Sequence, residues 1–235
     1  MHIIIKSGPL AAAIGLCLAG ASGHADTVTL PLGTAGNIVH TGDFIESYFS
    51  GGTDSTGESG SNLGISFSNN VTAQKAGNNN STGNGKFENN PSHASEVIFA
   101  SSSYDINDAG GFSGLAFNYA FSNNNLADSL TATLYSGLNG TGTALATFTM
   151  SSTGTPIACA TGTNAYCTWS GFSTGGANFG AADSVVLSGN VSLSELDGLV
   201  FTTPSTVPLP ATAWLMLGGL AGFAGVFRRR SGAAA

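Results

Sequence analysis

Residues 130–134 read Leu130-Thr131-Ala132-Thr133-Leu134, and their alternation sets the fold class. Apolar side chains recur at every second position with threonine between them. That is the period of a half-buried strand, one face toward a core and the other toward water. Upstream, Leu115, Phe117, Tyr119 and Phe121 share one face in the same way. Further outward, short apolar runs at 63–67, 96–100, 115–121, 130–135, 144–150, 166–170, 184–188 and 199–202 are strand candidates, and 28–30 adds another. No stretch between 26 and 205 keeps a 3.6-residue period over three turns. Eight or nine strands joined by Gly/Asn/Ser turns predict an all-β domain, a jelly-roll-like β-sandwich. Two inward faces of Phe, Leu and Val supply a core of adequate size. The asparagine-rich stretch 66–93, centred on Asn78-Asn79-Asn80, resists burial and reads as a long loop. Its amides could meet sugar hydroxyls, or the loop is a plain spacer.

The charge balance narrows the partners. The chain has 235 residues, room for one sizeable domain, and only 8% of them are charged. Lys6, Arg228, Arg229 and Arg230 are four of the six basic residues and lie near the ends. The domain between keeps two basic residues against 13 acids, a net charge of −11. Phosphate binding needs clustered Lys and Arg, so a nucleic-acid partner is excluded. Attachment of the domain itself to anionic lipid fails for the same reason. Low charge with 34 glycines points to an extracellular all-β domain, not a cytosolic enzyme.

No constellation for catalysis stands out. Asp105-Ile106-Asn107-Asp108 opens like a calcium loop, but Ala109 and Ala116 occupy ligand positions and exclude an EF-hand. A calcium site drawn from separate loops would use Asp43, Glu46 or Asp197; the other reading is acids that solvate the surface. Calcium is the one cofactor considered. His40 and His93 are too few and too far apart in sequence for a zinc motif. Gly171-Phe172-Ser173-Thr174-Gly175 matches GxSxG, but no helical period follows it as a nucleophile elbow requires, and no two acids announce themselves as a glycosidase pair. The expectation is a protein without catalytic residues. If it holds a glycan, Tyr104, Tyr119, Tyr135 or Trp169 would stack on the sugar.

Both ends carry addresses. Residues 1–25 read as a secretory signal peptide: Lys6 supplies the early charge, 10–19 the apolar run, and Gly23-His24-Ala25 a small-x-small site for signal peptidase. Cleavage between Ala25 and Asp26 removes Cys17. It leaves Cys159 and Cys167, which read as a disulfide closing a short loop in an oxidising compartment. The ectodomain would span 26–205.

At the other end stands Val207-Pro208-Leu209-Pro210-Ala211, then an apolar run over 211–227, then Arg228-Arg229-Arg230 and a tail at 231–235. The 17 uncharged residues make a helix of ~25 Å, enough for a thin hydrocarbon core. Trp214 suits one membrane interface, and the arginines stay in the cytoplasm by the positive-inside rule. Gly218 and Gly222 form a GxxxG pair, a helix-packing face or mere composition. Pro208 and Pro210 keep the preceding segment extended. Together, 206–230 resembles the PEP-CTERM class of sorting signal in its VPLPA variant. The resemblance implies an exosortase-like membrane protease or transpeptidase as partner, an inner-membrane intermediate, and transfer to the cell surface alongside exopolysaccharide. The segments 136–143, 183–189 and 197–201 are also similar to ectodomains of that class, which implies a lectin-like or carbohydrate-binding sandwich. Two other readings stay open. Leu209-Pro210-Ala211-Thr212 resembles an LPxT sortase signal, although Ala213 replaces its glycine. The helix could also be a permanent anchor that is never cut.

Overall fold

The computed structural model describes residues 25–32, 42–75, 87, 96–122, 128–152 and 166–204. All belong to one compact unit, Ala25–Ser205. Among them are eleven strands and one 3₁₀ turn. In chain order the strands are β1 (Thr27–Thr29), β2 (Ile65–Phe67), β3 (Val71–Lys75), β4 (Glu96–Ala100), β5 (Tyr104–Phe112), β6 (Gly114–Phe121), β7 (Ser129–Tyr135), β8 (Ala144–Ser151), β9 (Trp169–Ser173), β10 (Ala182–Gly189) and β11 (Ser194–Thr202). The 3₁₀ turn is Val191–Leu193.

The strands form two antiparallel sheets. One runs β3-β4-β11-β6-β9 and the other β2-β5-β10-β7-β8. β11 is the pivot of the first. β6 lines one side of it, while the other side is shared: Leu196 meets Ile98 of β4, and Val200 to Thr202 meet β1. A register shift between Asp197 and Val200 separates the two halves. Gly198 sits there at φ 60, a conformation that glycine adopts without Cβ strain. From β4 onward the chain changes sheet at every step except the β7–β8 hairpin.

Alternation explains the packing. In β7, Leu130, Ala132 and Leu134 are fully buried, while the threonines between them are only partly covered. Leu115, Phe117, Tyr119 and Phe121 of β6 face the same core from the opposite sheet. The two inner faces form one continuous cluster, so the sheets pack face to face. Phe112 meets Phe201 edge-on across it, with ring centroids 5.3 Å apart. Phe172 of β9 touches both Phe117 and Phe148, at 4.7 Å and 5.5 Å, and stitches the sheets together along the β8–β9 side. Each fully buried side chain of this size stabilises the fold by ~1.5–3 kcal/mol.

One expectation needs correction. The long loop expected over 66–93 is in part regular: it contains the end of β2 and all of β3. Val71 and Ala73 enter the core, so the polarity of the stretch as a whole hid a short alternating strand. The calcium-like run at 105–108 lies inside β5, where Tyr104 and Ile106 point inward and Asp105 and Asn107 outward. The centre of the asparagine stretch, 78–80, lies outside the described residues. So do 1–24, Cys159, the motif 207–211, the apolar run 211–227, the arginines 228–230 and the tail 231–235. Among the described residues no helix is long and apolar enough to cross a membrane.

Candidate functional site

Among the described residues, the outer face of the six-stranded sheet carries a concavity. Its first wall is a segment that extends the sheet beyond β3. Gly42 N–H donates to Ala73 O at 2.8 Å, Ala73 N–H to Asp43 O at 3.0 Å, and Ile45 N–H to Val71 O at 3.1 Å. Ile45 is buried in the core, so Phe44, one residue earlier, faces the other way. Its ring is 46% exposed. Phe44 pairs with Thr72, and Thr72 with Phe99. One step along the β4–β11 register sets Glu195 beside Phe99, and Glu195 pairs with Ala120, which pairs with Trp169. The result is a row across the sheet: Phe44, Thr72, Phe99, Glu195, Ala120, Trp169.

The row has two environments. Toward Trp169 it is roofed: Phe87, Val97, Ala120 and Tyr166 form a small second core with Trp169 packed against it. Toward Phe44 it opens into a concavity of about 440 Å³ lined by Gly42, Phe44, Asn70, Thr72, Phe99, Ser101 and Ser192. That volume falls within the range of small-ligand sites. Asn70 is held in place: its side-chain amide donates to Ser102 O at 3.1 Å, Ser102 Oγ at 2.8 Å and Ser103 O at 3.3 Å. Thr72 Oγ1 donates to Phe99 O at 3.4 Å. The lining is ring, amide and hydroxyl, with no titratable side chain. A smaller concavity of about 240 Å³ lies along Ser113, Gly114, Ser173, Thr174 and Thr202.

Glu195 marks the boundary between the two environments. It is fully buried, and among the described residues neither carboxyl oxygen has a hydrogen-bond partner. Burial pushes its carboxyl well above the usual carboxylate range. Burial also raises the Tyr166 hydroxyl, with the nearby Glu195 and Asp128 carboxyls adding to the effect.

The aromatic residues expected to stack on sugar are mostly elsewhere. Tyr104 and Tyr119 are buried in the main core, and the Tyr119 hydroxyl donates to Ser151 O at 3.2 Å. Tyr135 and Trp169 are half-buried. Phe44, which the sequence did not single out, is the exposed ring among the described residues. Its signal was Asp43-Phe44-Ile45, one more alternating segment placed beside Thr72.

The acids nominated for calcium do not converge. Asp43 and Asp197 are buried and Glu46 is exposed. Among the described residues no three His, Cys, Asp or Glu side chains gather as a metal-binding group. Nor do the acids simply solvate the surface: Asp54, Glu96, Asp108, Asp128 and Glu195 are buried as well. Asp54 Oδ1 accepts from Thr56 N–H, Thr56 Oγ1 and Glu58 N–H at 2.8–2.9 Å. Burial raises the Asp54 pKa, but these bonds outweigh it and the net shift is downward. Asp26 is exposed at the start of β1, and its main chain is bonded to Thr203. Cys167 is buried.

No protein-family model matches the chain. No curated protein matches it in sequence. Two solved structures are similar to it at 12% identity. Both are cleaved adhesin domains of Lys-gingipain. The first has a TM-score of 0.40 and covers 60% of this chain and 91% of its own. The second, from Porphyromonas gingivalis, has a TM-score of 0.31 and covers 57% of this chain and 91% of its own. At those scores the fold stands on the strand order described above.

Proposed function

We propose that this chain is an exported cell-surface protein whose jelly-roll domain contacts glycan without acting on it, as a matrix or adhesion component associated with exopolysaccharide. The observation that carries the reading is the exposed Phe44 ring in a concavity walled by Asn70, Thr72, Ser101 and Ser192. A sugar presents an apolar C–H face and a rim of hydroxyls. The ring takes the first, and amide and hydroxyl groups take the second. Together these groups offer a stacking face with donors and acceptors beside it, which supports a binding role. The jelly-roll assignment rests on the strand order, in which β4 to β11 change sheet at each step outside the β7–β8 hairpin. The export route rests on the sequence: signal peptidase after Ala25, then exosortase-like processing at 207–211, across the membrane from the cytoplasmic arginines. In the mature protein Cys167 is taken to bond Cys159.

The test is a glycan array probed with the secreted protein, with and without calcium, followed by Phe44→Ala. The exposed ring is not part of the core, so Phe44→Ala should fold normally. It should lose ~10-fold or more in affinity, the equivalent of about 1.4 kcal/mol. Glycan binding that is unchanged in Phe44→Ala would remove the groove from the proposal. A calcium requirement would restore Asp43, Glu46 and Asp197 as candidates.

A further inference from the structure

From 129 to 182 the chain contains no Asp, Glu, Lys, Arg or His, a run of 54 residues. That run builds β7, β8 and β9. β8 ends the five-stranded sheet and β9 ends the six-stranded sheet. These two edge strands therefore carry no charge of their own, while every acid of a domain carrying −11 lies outside that run. Two copies of such a domain repel one another at close range unless they meet through strands without charge.

β8 has the properties of a strand that can be extended. It is eight residues long and pairs with β7 along its length, and among the described residues nothing pairs with its other edge. Edge strands are commonly protected by shortness, proline or charge. β8 has no proline and no charge, whereas β2, at the other end of the sheet, is only three residues long. On the outer face Thr147 and Thr149 are exposed and pair with Thr133 and Thr131. We infer that a second copy of this chain adds its own β8 antiparallel to this edge and forms a two-fold dimer with one continuous ten-stranded sheet. Centring the axis on Phe148 sets Thr147 against Thr149 of the second copy. The hydroxyl ladder then continues, and each face keeps its polarity. Centring it on Thr147 would set Thr149 against Leu145 instead.

The test uses the full-length chain in mild detergent, with mass followed by sedimentation over a concentration series. The wild-type mass should double as concentration rises. Thr147→Lys with Thr149→Lys should remain at monomer mass, and so should Thr147→Glu with Thr149→Glu. An equimolar mixture of the two should return to twice that mass. All four substitutions fall on exposed positions, and an unchanged thermal transition verifies folding. Single Thr149→Lys and Thr149→Glu variants replace the doubles if those fail to fold. A wild type that stays monomeric at the highest concentration overturns the proposal. So does a dimer that survives either charge pair, as an association through Gly218 and Gly222 in the apolar tail would. A mixture that stays monomeric rejects the β8–β8 geometry as well.

Discussion

Glu195 is a residue whose placement is costly. A fully buried carboxyl with no hydrogen-bond partner among the described residues keeps its proton well above the pH at which a solvated glutamate loses it. The unfolded chain releases that proton near the ordinary value of 4.5, while the folded chain retains it. Above that pH the unfolded state binds fewer protons, so stability falls as pH rises, until the folded group also ionises. Glu195→Gln removes the titration and keeps the shape. The variant should match wild type in thermal midpoint near pH 4 and exceed it at pH 7–8. Equal midpoints at both pH values would mean that the carboxyl is not desolvated. Taking the difference between the two proteins cancels other acids, among them Asp54, whose lowered pKa works in the opposite direction. At this scale the sequence was a poor guide. Tyr104 and Tyr119 looked like sugar platforms because aromatic residues on alternating strands are two-sided until the core is known. Phe44 was invisible because its strand partner Thr72 lay in a stretch that read as a loop.

At the scale of elements, the strongly patterned strands were legible and the polar ones were not. β4 matches its expected bounds, β6, β7 and β8 extend theirs by one residue, and β10 by three. In these the apolar face declares itself. β5 has the same alternation, but Asp105, Asn107 and Asp108 give it the look of a ligand loop. The β7–β8 turn shows what makes such polar positions structural. Asn107 Nδ2 donates to Asn139 Oδ1 at 3.1 Å, and Asn139 N–H donates to Asn107 Oδ1 at 2.6 Å. Gly140 N–H donates to Ser184 Oγ at 3.1 Å. The turn is thereby folded back over β5 and β10. It needs positive φ at Asn139 (56°) and at Gly140 (65°), and a Cβ on Gly140 would lie 2.7 Å from Val186 Cγ2. Gly140→Ala should destabilise the domain by ~1–3 kcal/mol, read from the denaturant midpoint at unchanged slope. A loss below a few tenths would show that the turn is not held against the sheet.

At the scale of the whole molecule, the two ends of the ectodomain are clasped. Thr203 N–H donates to Asp26 O at 2.8 Å, and Asp26 N–H donates to Thr203 Oγ1 at 3.1 Å. The residue proposed to begin the mature chain is thus bonded to the one that leads into the sorting motif. The proposed processing is tested by peptide mass spectrometry of surface and medium fractions. Peptides should begin at Asp26 and end near 207–211, and Pro208→Ala with Pro210→Ala should trap full-length protein in the inner membrane. Surface protein in which peptides covering Trp214 to Arg228 stay joined to the ectodomain would replace sorting with a permanent anchor. Where the domain stays joined to the cell, through a permanent anchor or through its new C-terminus, the tether leaves it from β11. That strand is held by β6 on one side and by β4 and β1 on the other, while the groove lies on β3 and β4 of the same sheet. Tension between a captured polymer and the cell would therefore run lengthwise along neighbouring strands. The hydrogen bonds between them would carry it in parallel, as a lap joint carries shear, rather than opening one at a time from an end.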